Sequence, residues 1–130
     1  MQFNYPAPQV QLDELQAILD ANPEPGIVDI WACWNPFYIV AEDAHSAVGV
    51  ASVNWGHDLC ELHKLYIPPS SQRRGIGTAL VEKVISILRE NNVPELGIEI
   101  VDGSLPFWKK FAETHVMRPI DDNKFICYLT

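Results

Sequence analysis

No segment of this 130-residue chain approaches the ~20 consecutive apolar residues that a membrane-spanning helix needs. Its first residues, MQFNYPAPQ, have neither a basic start nor an apolar stretch, so no leader and no membrane partner are expected, and a cytoplasmic location is. Cysteine is scarce: Cys33, Cys60 and Cys127 are odd in number, far apart and without a CxxC pair. That pattern indicates neither a disulfide framework nor a zinc site, and buried free thiols with no metal are the expectation. Positive charge is also in short supply, with nine Lys and Arg against 17 Asp and Glu and a net charge of -8. Such a balance opposes general affinity for nucleic acid or anionic lipid and leaves cationic partners open. Low-complexity runs and repeats are absent as well. With 48% apolar and 20% charged residues the chain reads as one globular domain over residues 1–130, with one site as the default.

Along the chain, residues 2–5 suit a short strand, and Leu12, Leu15, Ile18 and Leu19 give residues 10–21 a helical spacing. Two prolines and a glycine between Asn22 and Gly26 stop that helix. Residues 27–34 mix β-branched and aromatic residues without a clean period, and a short helix is expected there, a strand being the alternative. Strands follow at 37–42, 47–55 and 59–67, the first two as a hairpin, the third ended by Pro68 and Pro69. After Gly77, Leu80, Val81, Val84, Ile85 and Leu88 recur at helical spacing, until Asn91, Asn92 and Pro94 end the run. A strand at 96–101, a helix from Pro106 to Thr114 with Asp102 or Ser104 as cap, and two strands at 116–120 and 125–129 complete an α+β domain.

One stretch carries chemistry. In Ser71-Gln72-Arg73-Arg74-Gly75-Ile76-Gly77-Thr78 a helix begins between two glycines and behind two arginines. A helix N-terminus leaves N–H groups without partners and carries partial positive charge, so it is a ready anion site. Glycines let an anion approach the backbone, and Arg73 and Arg74 add charge, the plain alternative being that they are solvated and only one assists. The spelling fails as a P-loop, because Gly77 is followed by Thr78-Ala79 in place of Lys-Ser/Thr, and as a dinucleotide fingerprint, because Leu80 stands where a third glycine is needed. The seven-residue loop from Pro68 to Arg74 is also too long for the latter.

Residues 65–80, LYIPPSSQRRGIGTAL, resemble the acetyl-CoA-binding signature of the GCN5-related N-acetyltransferases, Q/R-x-x-G-x-G/A between a strand and a long helix. Gln72, Gly75 and Gly77 fill its defined positions, and the inferred order of elements agrees with that family's fold, a mixed central sheet flanked by helices. The resemblance implies an N-acetyltransferase with acetyl-CoA as co-substrate and no metal. Backbone amides from Gln72 through Thr78, including those of Arg73, Arg74 and Ile76, are implied to bind the coenzyme A pyrophosphate. Backbone groups of Leu65, Tyr66 and Ile67 are implied to pair with the pantetheine arm, their side chains being core. The implied reaction is direct attack of a neutral amine on the thioester in a ternary complex, with the oxyanion held by a backbone N–H.

The same resemblance places a general base at Glu61. By strand alternation His63 shares its face and is a second candidate or a partner, the plain alternative for both being a surface charge pair. The family's helical tyrosine has no counterpart, since Phe107-Trp108 stands at the Phe-Tyr pair, and an indole is no acid. Trp108 belongs either beside the pantetheine arm or in the core. A thiol of pKa ~8.5 leaves without full protonation, so catalysis survives this departure. The acceptor region, residues 22–36, is short, and Trp31 and Trp34 with Asp29 offer either a wall for a cationic amine or a roof on the core. Dimers are common among proteins resembling this one, so a homodimer is among the expectations. The rival class is a non-catalytic acyl-CoA-binding sensor or interaction module.

Overall fold

A computed structural model describes residues 1–130 apart from Cys33, His57, Asp102 and Thr130. Seven strands form one mixed sheet in the order β1-β2-β3-β4-β5-β7-β6, where β1 is Gln2–Asn4, β2 Pro36–Asp43, β3 Ser46–Asn54, β4 Leu59–Tyr66, β5 Glu95–Glu99, β6 Met117–Asp121 and β7 Lys124–Tyr128. Neighbours are antiparallel except β4 and β5, which are parallel. Parallel strands need a crossover, and helix α2, Ile76–Glu90, supplies it. Helices α1, Gln9–Ala21, and α3, Leu105–Phe111, complete the fold.

Alternation along the strands sends two apolar sets to opposite faces. Ile39, Ala41, Ala51, Val53, Cys60 and Leu62 join α2 and α3 in the larger cluster. On the other face, Val40, Val50 and Tyr66 meet Leu12, Leu15 and Leu19 of α1. Helix α2 buries Ile76, Leu80, Val81, Val84, Ile85, Ile87 and Leu88, each worth about 1.5–3 kcal/mol when fully covered, which anchors the crossover firmly. Its N-terminus sits tightly on β3 at Gly49, where a Cβ would come within 2.7 Å of the Ile67 side chain and 3.0 Å of that of Leu80. That seat fixes the height of the loop before α2 above the sheet. Cys60 and Cys127 are buried free thiols, as the sequence suggests, and Cys33 lies outside the described residues.

Two expectations are corrected. Among the described residues of 27–34 none is helical. Side chains of the core have taken over the backbone groups a helix would have paired: Gln16 Oε1 accepts from the Ile30 N–H at 3.0 Å, the Tyr38 hydroxyl bonds both the N–H and the carbonyl of Ala32 at 3.0 Å, and Ser52 Oγ donates to the Ile30 carbonyl. Without a helix there, Ile30 joins the α1-side cluster and Ala32 is buried. The second correction concerns the cap of α3: Ser104 makes no capping bond to the helix and its hydroxyl donates to the Val101 carbonyl at 2.7 Å, while Asp102 is outside the described residues.

Candidate functional site

The site begins where the sheet stops being continuous. Pairing of β4 with β5 runs from Leu59↔Glu95 to Leu62↔Ile98 and ends there, while β4 stays paired with β3 through Val50↔Tyr66. From His63 onward the β5 side of β4 is open. At the same point the β3–β4 register slips, because Ser52 pairs with Lys64 and the next residue, Val53, pairs with Leu62. His63 is the extra residue of a β-bulge, which bends the strand and leaves backbone groups unpaired.

Above the open end lies the loop into α2. A 3-10 turn at Pro69–Ser71 follows the two prolines, Arg73 has φ +64°, and Gly75, which precedes α2, has φ +77°. Left-handed geometry is inexpensive for glycine and costs a residue such as Arg73 about 1 kcal/mol or more. Its effect is visible in the hydrogen bonding: among the described residues, none of the six consecutive N–H groups from Arg73 to Thr78 has an acceptor in the protein. Only at Ala79, whose N–H donates to the Gly75 carbonyl at 3.1 Å, does the helical ladder begin. Six unpaired donors in a row at a helix N-terminus are able to bind an anion, and the residues fit a pyrophosphate. Above Gly75 the space is open, since a Cβ built there meets nothing within 4 Å.

The charged and polar residues of the loop have distinct places. Gln72 Nε2 donates to the Ile67 carbonyl and to Glu24 Oε1, both at 3.1 Å, so its side chain closes the loop on the end of β4. The Ile67 carbonyl is thereby already engaged. Arg74 is paired with Asp43 of the β2–β3 hairpin, and among the described residues Arg73 makes no ion pair. Tyr66 is 0% exposed, its hydroxyl has no hydrogen-bond partner, and burial, then the Glu24 charge, push its pKa up. Its ring lies in the α1-side cluster, whereas Leu65 and Ile67 lie against the larger one.

Trp108 is 5% exposed and belongs to the core. Phe107 is the ring beside the loop: a Cβ on Gly77 would lie 3.1 Å from Phe107 Cε1 and 3.7 Å from Leu65 Cδ2. Sequence reasoning missed Phe107 because adjacent aromatic residues on a helix point about 100° apart, and only the packing of α3 decides which of them faces inward. Ring centroids of Phe107 and Trp108, 4.8 Å apart at 89°, make an edge-to-face pair in which Trp108 is the buried member.

On the other face of the sheet, beyond the cover of α1, Glu61 and His63 line one depression of about 120 Å³ together with Leu59, Gly97, Glu99 and Lys124. Trp31 and Trp34 are not among its lining residues. Trp31 packs edge-on to Tyr38 at 6.1 Å over the α1-side core, Trp34 is 73% exposed, and Asp29 accepts the Trp31 N–H at 2.9 Å.

A model of the acetyltransferase (GNAT) family matches residues 8–112, which includes the loop, the bulged strand and the crossover helix. The chain belongs to that family. Solved structures agree in fold: the ribosomal-protein-S18-alanine N-acetyltransferase of Escherichia coli, 17% identical, superposes with a TM-score of 0.72 over 98% of this chain and 92% of that one. Tetrahymena GCN5, also 17% identical, gives 0.70 over 94% and 88%. The PaiA N-acetyltransferase of Thermoplasma acidophilum in complex with coenzyme A, 18% identical, gives 0.58 over 72% of this chain and 59% of that one. At these identities the likeness is one of fold. No curated protein sequence matches the chain.

Within this GNAT chain the charge is unevenly placed. Nine of the 17 acidic residues and none of the nine basic ones precede Lys64. The part that builds α1, the first three strands and Glu61 is thus wholly acidic, and every cation, Arg73 and Arg74 included, comes later. Counting charge by halves would have shown this from the sequence.

Two acidic residues reach the loop, Glu24 at Gln72 and Asp43 at Arg74. Asp43 is the one in an ion pair. Its hydrogen bond from Arg74 holds the carboxyl below the usual carboxylate range. A lowered pKa makes the contribution of this pair present above the ordinary carboxylate pKa and lost as pH falls through the depressed one, and exposure of both partners keeps it small. If the loop takes the pyrophosphate of coenzyme A, Asp43→Asn should at low ionic strength tighten that binding about two- to fivefold by freeing Arg74, and the gain should fade as salt is added. Titration calorimetry at two salt concentrations checks this; a loss of affinity would show that the pair holds the loop in its binding shape.

Proposed function

We propose that this GNAT protein is an N-acetyltransferase that uses acetyl-CoA and a primary amine bound together in a ternary complex. The observation that carries the reading is the run of six unpaired N–H groups, Arg73 to Thr78, opening beside the gap where β4 leaves β5. In this reading those amides and Arg73 hold the pyrophosphate, and the free edge of β4 near Leu65 and Tyr66 receives the pantetheine arm, with Phe107 beside it. Bound acetyl-CoA would supply an activated thioester carbon.

The remaining work belongs to the chain. An alkyl ammonium of pKa about 10 is roughly one-thousandth neutral at pH 7, so a group that accepts its proton raises the rate directly. Glu61 is the carboxylate of the depression on the strand that carries the bulge, and we assign it the proton-accepting role, with His63, the bulge residue two positions on, as its partner. The acidic N-terminal half favours a cationic acceptor, which it concentrates near the site by long-range attraction. Incubating the protein with acetyl-CoA and a panel of amines, with free thiol monitored and products weighed by mass spectrometry, should release coenzyme A with at least one amine. Tight coenzyme A binding without thiol release on any amine would instead support a non-catalytic acyl-CoA-binding module.

A further inference from the structure

Gly97 lies in the middle of β5, with β4 on one side and β7 on the other. A glycine inside a central strand weakens it, so its presence calls for a reason. Crowding is not the reason: a Cβ there would be 3.5 Å from Glu61 Cγ, 3.5 Å from Leu59 Cδ1 and 3.7 Å from the Cys60 carbonyl, all ordinary contacts. Backbone geometry is not the reason either, since the positive-φ glycines are Gly26, Gly75 and Gly103. What the missing side chain leaves is space. In register, Glu61, Gly97 and Ile126 form one row across the sheet, and all three line the depression of about 120 Å³. The outer two are two strand spacings apart, roughly 10 Å between Cα atoms, and their side chains stand on either side of a bare floor. Leu59 stands with Glu61 on one side of the slot between them, and the slot's volume of about 120 Å³ suits the end of an aminoalkyl chain.

We propose that Gly97 is the specificity-determining floor of the acceptor site: an unbranched alkyl ammonium lies over it with its charge at Glu61 and its methylenes against Ile126. An amine branched at the carbon bearing nitrogen is too wide for this slot. The proposal rests on the acetyltransferase reading for the identity of the site, and deepens it by naming the acceptor as a primary aminoalkyl group. Such a group ends both a linear polyamine and a lysine side chain.

The test uses the full chain saturated with coenzyme A and labelled with ¹⁵N. Titration with n-butylamine should shift the Gly97 and Ile126 amide signals, and sec-butylamine should do so at least about tenfold more weakly, given that the branch must displace packed atoms. In Gly97→Val the Ile126 shift should be lost, while coenzyme A affinity stays as in the wild type. Because a Cβ at this position makes only ordinary contacts, the Tm of Gly97→Ala should be unchanged or a few degrees higher. A purely structural glycine would give a fall in Tm for Gly97→Ala. Equal binding of the two amines, undiminished binding by Gly97→Val, or a fall in Tm for Gly97→Ala would overturn the proposal. The two readings fail separately: butylamine binding without thiol release removes the transferase and keeps the slot, whereas thiol release with equal rates for both amines removes the slot alone. Among turned-over substrates, 1,4-diaminobutane and Nα-acetyllysine amide distinguish a free diamine from a peptide side chain.

Discussion

Glu61→Gln should lower kcat/KM for the acceptor amine about 10²-fold or more at pH 7, the lower end of what a positioned general base contributes. The deficit should narrow as pH approaches the amine's own pKa near 10, where the neutral amine no longer has to be made by the protein. Glutamine keeps the shape of the side chain and the contact with the Gly97 floor, so coenzyme A affinity and Tm should hold. A pH–rate profile of both proteins, with the thiol assay as readout, decides the matter. Equal rates at every pH would remove Glu61 from the proton path and leave His63 to be tested in the same way. A deficit of the same size at every pH would mean that Glu61 positions the ammonium without taking its proton.

Gly75→Trp should raise the Kd for coenzyme A about 10²-fold, the largest effect expected at the loop. A Cβ at Gly75 meets nothing within 4 Å beyond its chain neighbours, so the added side chain starts into open space beside the six free N–H groups. Its φ of +77° adds strain of about 1–2 kcal/mol for any residue with a Cβ. Gly75→Ala separates the two contributions, because it carries the strain with little bulk. Calorimetry on the pair should find the alanine variant within about tenfold of the wild type and the tryptophan variant far weaker. If alanine were as damaging as tryptophan, the shape of the loop rather than open access to it would control binding.

How much of this was legible in advance differs by element. The period of Leu80, Val81, Val84, Ile85 and Leu88 announces α2, and Pro68 with Pro69 announces the end of β4, because both signals are local and strong. Gln72, Gly75 and Gly77 mark the anion loop for the same reason. Residues 27–34 favour a helix only in a local window, because their backbone partners, Gln16, Tyr38 and Ser52, come from α1, β2 and β3 and are invisible to it. The local spelling points to the backbone of Gln72, and its side-chain bond to the Ile67 carbonyl exists only once the loop is folded back. Trp31 and Trp34 looked like a pair, yet one seals the core and the other is largely exposed.

The sequence by itself determined the family, the mixed α+β order of elements and the chemistry of the loop, since helical period, prolines and glycines act over a few residues. Tertiary structure alone decided where β4 and β5 part, which of Phe107 and Trp108 borders the loop, that Arg74 is shared with Asp43, and that Glu61 stands beside the bare floor of Gly97. Each of those facts depends on strand register and on contacts between residues distant in the chain, and a one-residue slip in register would turn Glu61 to the opposite face of the sheet.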